Sequence, residues 1–151
     1  MGVQFLKIHI NEDSKIEDME LIINCKKTDE RVLKVVAMLS MLDKKITGFK
    51  NNLTYILDVS KILYIDTVDK KTFFYTKDDV YETPLKLYEL EEQLELSDFF
   101  RAGKSIIINF NHIKALKPDI DGRILVTMSN DEKLFVSRQY ASIIKNKLEG
   151  M

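Results

Sequence analysis

Apolar and polar positions change their period several times along the chain. Between Gln4 and Ile10 the apolar residues Phe5, Leu6, Ile8 and Ile10 are broken by Lys7 and His9. That near-alternation predicts a strand with one buried face. Asn11 to Ser14 reads as a turn, and Met19 to Cys25 as a second apolar strand. Thr28 or Asp29 can then cap a helix, because a short side-chain oxygen accepts from the exposed N–H groups of a first turn. From Glu30 onward Val32, Leu33, Val35, Val36, Leu39, Met41 and Leu42 form a helical apolar face, and Lys44 and Lys45 suit its negative end. Residues 1–45 thus predict a strand–strand–helix extension, or a small βα layer, too small to bury its own apolar surface.

From residue 46 the chain breaks into short β-rich runs. Ile46–Phe49, Thr54–Val59, Ile62–Ile65, Thr72–Thr76 and Val80–Thr83 are predicted strands, with Val68-Asp69-Lys70-Lys71 as a turn. Pro84 ends the pairing because it donates no ladder hydrogen bond. An amphipathic helix follows, with Leu85, Leu87, Tyr88, Leu90, Leu94 and Leu96 set against Glu89, Glu91, Glu92 and Glu95, and Ser97-Asp98 closes it. Phe99–Arg101, Ser105–Asn109, Ile113–Leu116, Arg123–Met128 and Lys133–Val136 are further strands, and Asp121-Gly122 and Asn130-Asp131 supply turns. Ser137 is placed to cap a last helix from Arg138 to Leu148. The fold class expected is mostly β with α, in two parts, residues 1–45 and 46–151.

Composition narrows this little. The 151 residues are 45% hydrophobic and 31% charged, which is ordinary for a globular domain. One cysteine, Cys25, forms no internal disulfide and suits a reducing cytoplasm. No basic and apolar leader opens the chain, and Leu6 stands where a myristoylated Gly2 would want Ser or Thr. Charge distribution says more than the net −1. Residues 46–100 carry 6 basic and 11 acidic side chains, whereas residues 101–151 carry 9 basic and 5 acidic. The basic final third is where phosphate contacts are to be sought.

Catalytic chemistry finds no foothold. Gly103-Lys104-Ser105 has the end of a phosphate-binding loop, but Asp98 stands where the loop's first glycine belongs and a strand follows instead of a helix. His9 and His112 lack paired carboxylates or an activated nucleophile. No Cys/His set is spaced for zinc, and the glutamates of the middle helix lie on its wet face. No cofactor, metal or small-molecule substrate is expected, and no enzyme.

An ordered set of segments carries a stronger signal. Ile62-Leu63-Tyr64-Ile65-Asp66 precedes a short basic turn, and a helix with Leu87-Tyr88-Glu89-Leu90-Glu91 follows. Then come Phe99-Phe100-Arg101-Ala102-Gly103-Lys104-Ser105-Ile106-Ile107-Ile108-Asn109 and Leu134-Phe135-Val136-Ser137-Arg138-Gln139-Tyr140. From about residue 46 to 148 the chain closely resembles the LytTR family of bacterial DNA-binding domains. The resemblance implies an elongated β fold of short strands with a connecting helix and a C-terminal helix, presenting loops to successive major grooves. By position it makes Lys104 and Arg138 the candidates for base or phosphate contact. Lys70 and Lys71 lie in the loop reaching the neighbouring groove, Arg101 and Ser105 contact backbone, and Asn109, which matches the motif too, is a lower-ranked candidate for DNA contact because it more often ties a turn. Gly103 is expected to loosen the loop before Lys104. About 45 preceding residues are too few for the receiver domain many relatives carry, which implies a stand-alone regulator.

The expected partners are double-stranded DNA, a second copy in a homodimer held by the Val32, Val36 and Leu39 face, and a regulatory protein, which a membrane-embedded inhibitor would exemplify. The alternative is a protein-interaction module that keeps the fold without binding DNA. The two part on whether Lys70, Lys104 and Arg138 share one face.

Overall fold

The structure is a computed structural model and describes residues 5–150. Gly2 and Gln4 lie outside the described residues. No strand forms between Phe5 and Cys25, contrary to the sequence expectation. The reason is the absence of a partner. Phe5, Ile8, Ile10, Met19 and Ile22 are each at least 74% exposed, and a strand whose N–H and C=O groups meet no ladder gains nothing from its pattern.

Helix α1 spans Glu30–Ser40 and is capped by Asp29, whose carboxylate accepts from the Val32 N–H at 3.1 Å. A short 3-10 turn, Met41–Asp43, ends at Lys44 with φ 56. Ala37 and Met41 are buried against the sheet, while Val32, Val36 and Leu39 are half-buried.

Ten strands follow: β1 (Lys45–Lys50), β2 (Leu53–Asp58), β3 (Tyr64–Val68), β4 (Lys71–Tyr75), β5 (Val80–Thr83), β6 (Phe99–Gly103), β7 (Ile106–Asn109), β8 (Ile113–Pro118), β9 (Ile124–Met128) and β10 (Lys133–Val136). Helix α2 (Leu87–Gln93) sits between β5 and β6, and α3 (Ala141–Glu149) closes the chain. One sheet has the order β2-β1-β5-β4-β3-β7-β6 and a smaller one β10-β9-β8. Every pairing among the described residues is antiparallel. A receiver's parallel βα sheet is therefore absent from them.

The continuous apolar runs in the middle strands follow from burial on both faces of the large sheet. Ile65, Phe74, Phe99 and Ile107 face one core, shared with α1 and α2. Tyr64, Phe100 and Ile108 face the other, shared with the small sheet and with Ala141 and Ile144 of α3. Successive residues of one strand serve opposite cores because strand side chains alternate.

Helix boundaries differ from expectation: Met41 and Leu42 lie beyond α1 and Leu85 before α2. Leu96 lies beyond α2 and is 97% exposed. Arg138–Tyr140 is a 3-10 turn, so α3 starts at Ala141, and the Ser137 side chain makes no capping hydrogen bond.

Candidate nucleic-acid interface

The candidate residues gather at one end of the large sheet. β3 ends in the two-residue turn Asp69-Lys70, with Val68 opposite Lys71. Both turn residues have positive φ, 50 and 67, the backbone of a type I′ hairpin whose twist matches that of its strands. The β6–β7 turn lies beside it, because the Thr67 N–H donates to the Ser105 carbonyl at 2.9 Å. Lys70, Lys71, Lys104 and Ser105 are all exposed.

Lys70, Lys104, Ser105 and Arg101 line one cleft of about 400 Å³, together with Thr67, Thr72 and Lys86. Its lining holds four cationic side chains and no carboxylate, which suits an anion and repels a cation. Thr67 Oγ1 is buried there without a hydrogen-bond partner among the described residues. Lys71 is exposed at the start of β4, outside this lining. A larger cleft of about 600 Å³ faces Glu91, Glu92 and Glu95 and is unsuited to a polyanion.

Arg101 is committed to the chain itself. Its Nε donates to the Gly103 carbonyl at 2.6 Å, its Nη2 to the Lys104 carbonyl at 2.5 Å, and its Nη1 pairs with Glu91 at 2.7 Å. The turn before Lys104 is therefore braced, although Gly103 alone would loosen it. Asn109 is likewise spent internally. It is 2% exposed, donates to the Ile62 carbonyl at 2.8 Å and accepts from the Asn111 N–H at 3.0 Å. Its side chain is buried and ties a turn.

Arg138 does not line the cleft, yet it stands near the same end of β6. The Ser137 N–H donates to the Ala102 carbonyl at 2.9 Å. That fixes Arg138 one residue from a backbone position that Lys104 follows by two. Arg138 is exposed. Lys86, Thr67 and Thr72 carry no motif in the sequence. Lys86 enters the cleft through the α2 N-terminus, where Glu89 accepts from the Lys86 N–H at 3.0 Å. A topology that places the β5–α2 junction beside the β3–β4 turn was needed to find it.

The LytTr DNA-binding domain family matches residues 52–149 of this chain. The chain belongs to that family. A LytTr DNA-binding domain of a Bacillus cereus protein, described as a methyl-accepting/DNA response regulator, superposes with a TM-score of 0.66 at 32% identity, covering 70% of this chain and 96% of that one. The mostly β architecture with few helices is thus the LytTR fold. An uncharacterised HTH-type transcriptional regulator of Staphylococcus aureus (strain MSSA476) is 27% identical over 145 residues, covering 95% of this chain and 98% of its own. One from strain NCTC 8325 / PS 47 is 29% identical, covering 95% of each chain. LytTR membership makes this a DNA-binding domain of the transcription-regulator type. Strands separate all three α-helices along the chain, so the described residues contain no helix-turn-helix pair.

The described residues hold no cluster of His, Cys, Asp and Glu able to bind a metal ion, and no helix long and apolar enough to cross a membrane. His112 is occupied by the Ser60 carbonyl at 2.7 Å.

Proposed function

We propose that this LytTR protein binds specific duplex DNA and regulates transcription, reading bases through Arg138 and Lys104 and gripping phosphates through Lys70, Lys71, Lys86 and Ser105. One observation carries the reading: Lys70 and Lys104, distant in sequence, line a single cleft without carboxylates, with exposed Arg138 anchored near the same strand end. Arginine's planar fork matches guanine O6 and N7, and lysine neutralises phosphate as a point charge. Arg101 and Asn109 serve indirectly, by shaping the turns that carry these groups. The non-binding interaction module is favoured only by Arg138 standing outside the cleft that Lys70 and Lys104 share. The test is selection of duplexes from a random pool by the full chain, followed by competition between the selected sequence and a scrambled one. Preferential retention supports the reading, and equal retention argues against it.

The protein is proposed to act in the cytoplasm as a homodimer, open to a regulatory partner. The exposed apolar residues between Phe5 and Ile23 support an assembly, because so much unpaired apolar surface is uncommon on a monomer. Light scattering should give twice the chain mass at micromolar concentration, and a constant single-chain mass would remove the dimer.

A further inference from the structure

We infer that Gly122 is a positioning residue for DNA reading: the loop from Asp119 to Arg123 is a platform for the stem of Arg138, and the missing Cβ at 122 lets that stem lie where it does. The inference rests on Arg138 as a base-reading residue.

The contact is close. A Cβ built on Gly122 would stand 2.9 Å from both Cγ and Cδ of Arg138. Nonbonded carbons prefer roughly 3.5–4.0 Å, so any side chain at 122 displaces the arginine. Backbone conformation is one reason for glycine here, since a side chain at this φ is strained. Gly122 has φ 78, but eight non-glycine residues also have positive φ, including Asp121 immediately before it at φ 60. This chain usually meets left-handed backbone with Asp, Asn or Lys. At 122 the close approach of Arg138 adds a second reason for glycine.

The platform is itself held. The Asp119 N–H donates to the Arg123 carbonyl at 2.9 Å, and the Arg123 N–H to the Ile120 carbonyl at 3.3 Å. Arg123 Nη2 pairs with Asp119 at 3.0 Å, and the Arg123 guanidinium lies 4.4 Å from the centre of the Phe135 ring. Phe135 is on β10, the strand that delivers Arg138. The loop and the arginine are thus tied to the same strand. A stem laid on backbone before DNA arrives has already lost part of its rotamer freedom, so less is lost on binding. It also restricts the plane in which the fork meets a base edge, and bidentate reading depends on that plane.

The experiment is a double-substitution cycle on the full chain, using Gly122→Ala, Arg138→Ala and the pair. The readout is affinity for the selected duplex relative to a scrambled one. Arg138→Ala should lower that ratio roughly 5- to 150-fold, and Gly122→Ala should lower it by a part of that, leaving scrambled-duplex affinity unchanged. In the Arg138→Ala background Gly122→Ala should have no further effect. A folding defect at the loop would persist in that background, so independent, multiplicative losses overturn the inference. An unchanged ratio for Gly122→Ala, with Arg138→Ala still impaired, overturns the inference alone. If Arg138→Ala itself leaves the ratio intact, the base-reading assignment falls and takes this inference with it.

Discussion

Arg101 fixes Lys104 from behind: its Nη2 donates to the Lys104 carbonyl at 2.5 Å while Glu91 holds the opposite nitrogen at 2.7 Å. Arg101, which the family resemblance marks for backbone contact, is a brace within the chain, and the residue it braces lines the cleft. Arg101→Lys keeps the charge but loses the fork. We expect a stability loss of about 2 kcal/mol from two charged hydrogen bonds. Affinity should fall for selected and scrambled duplexes alike, since Lys104 is misplaced for phosphate as well as for base. Denaturant unfolding and fluorescence anisotropy measure the two effects.

Lys70 stands in left-handed backbone at φ 67, where hairpins of this type prefer glycine. A lysine there costs about 1–2 kcal/mol in backbone strain. Lys70→Gly should therefore raise stability by about 1 kcal/mol while weakening DNA binding. The slope of log affinity against log salt should shrink by about 0.9 if one phosphate contact is lost. A variant that is both more stable and unchanged in salt slope would remove Lys70 from the interface.

Much of the fold was legible because its strands are short, apolar and bounded by turn residues. Ile62–Ile65 and Ser105–Asn109 read as short strands, and the strands found there, Tyr64–Val68 and Ile106–Asn109, serve both cores. The Phe5–Ile10 and Met19–Cys25 runs misled for a physical reason. Alternation records a face to be buried, whereas a strand also needs a neighbour, and none of the described residues supplies one. The candidate site carries a sequence motif at Lys104 and Arg138. Lys86, Thr67 and Gly122 carry none, since they are placed by contacts across the sheet end and the β8–β9 loop.

Asn109 offers a stability test. Asn109→Ala leaves the Ile62 carbonyl without its side-chain donor and the Asn111 N–H without its acceptor. Leaving buried partners unsatisfied costs about 1–3 kcal/mol. Thermal unfolding should show that loss, while the preference of the still-folded variant for selected over scrambled duplex should be preserved.

Asp66 predicts a pH dependence. It is half-buried on β3 and accepts from the Tyr75 hydroxyl at 3.0 Å. Burial holds its carboxyl above the usual value of 3.8, against the opposing pull of Tyr75. The folded state thus keeps this proton to higher pH than the unfolded chain does. Its contribution to stability is fully present below 3.8 and is lost as pH rises through the folded value. At neutral pH the charged carboxylate is a liability, and Asp66→Asn keeps an acceptor for Tyr75. The variant should be more stable than the parent at neutral pH, with the gap narrowing toward about pH 4. Urea unfolding at both pH values measures it, and a constant gap would contradict the assignment.

The most direct test of the account is fluorescence anisotropy of the full chain on a selected duplex across a salt series, with Lys104→Ala and Arg138→Ala alongside. The account predicts salt-sensitive binding, a shallower salt slope for Lys104→Ala, and a selected-to-scrambled ratio that collapses roughly 5- to 150-fold for Arg138→Ala. Binding that ignores both substitutions and does not separate selected from scrambled DNA would contradict it.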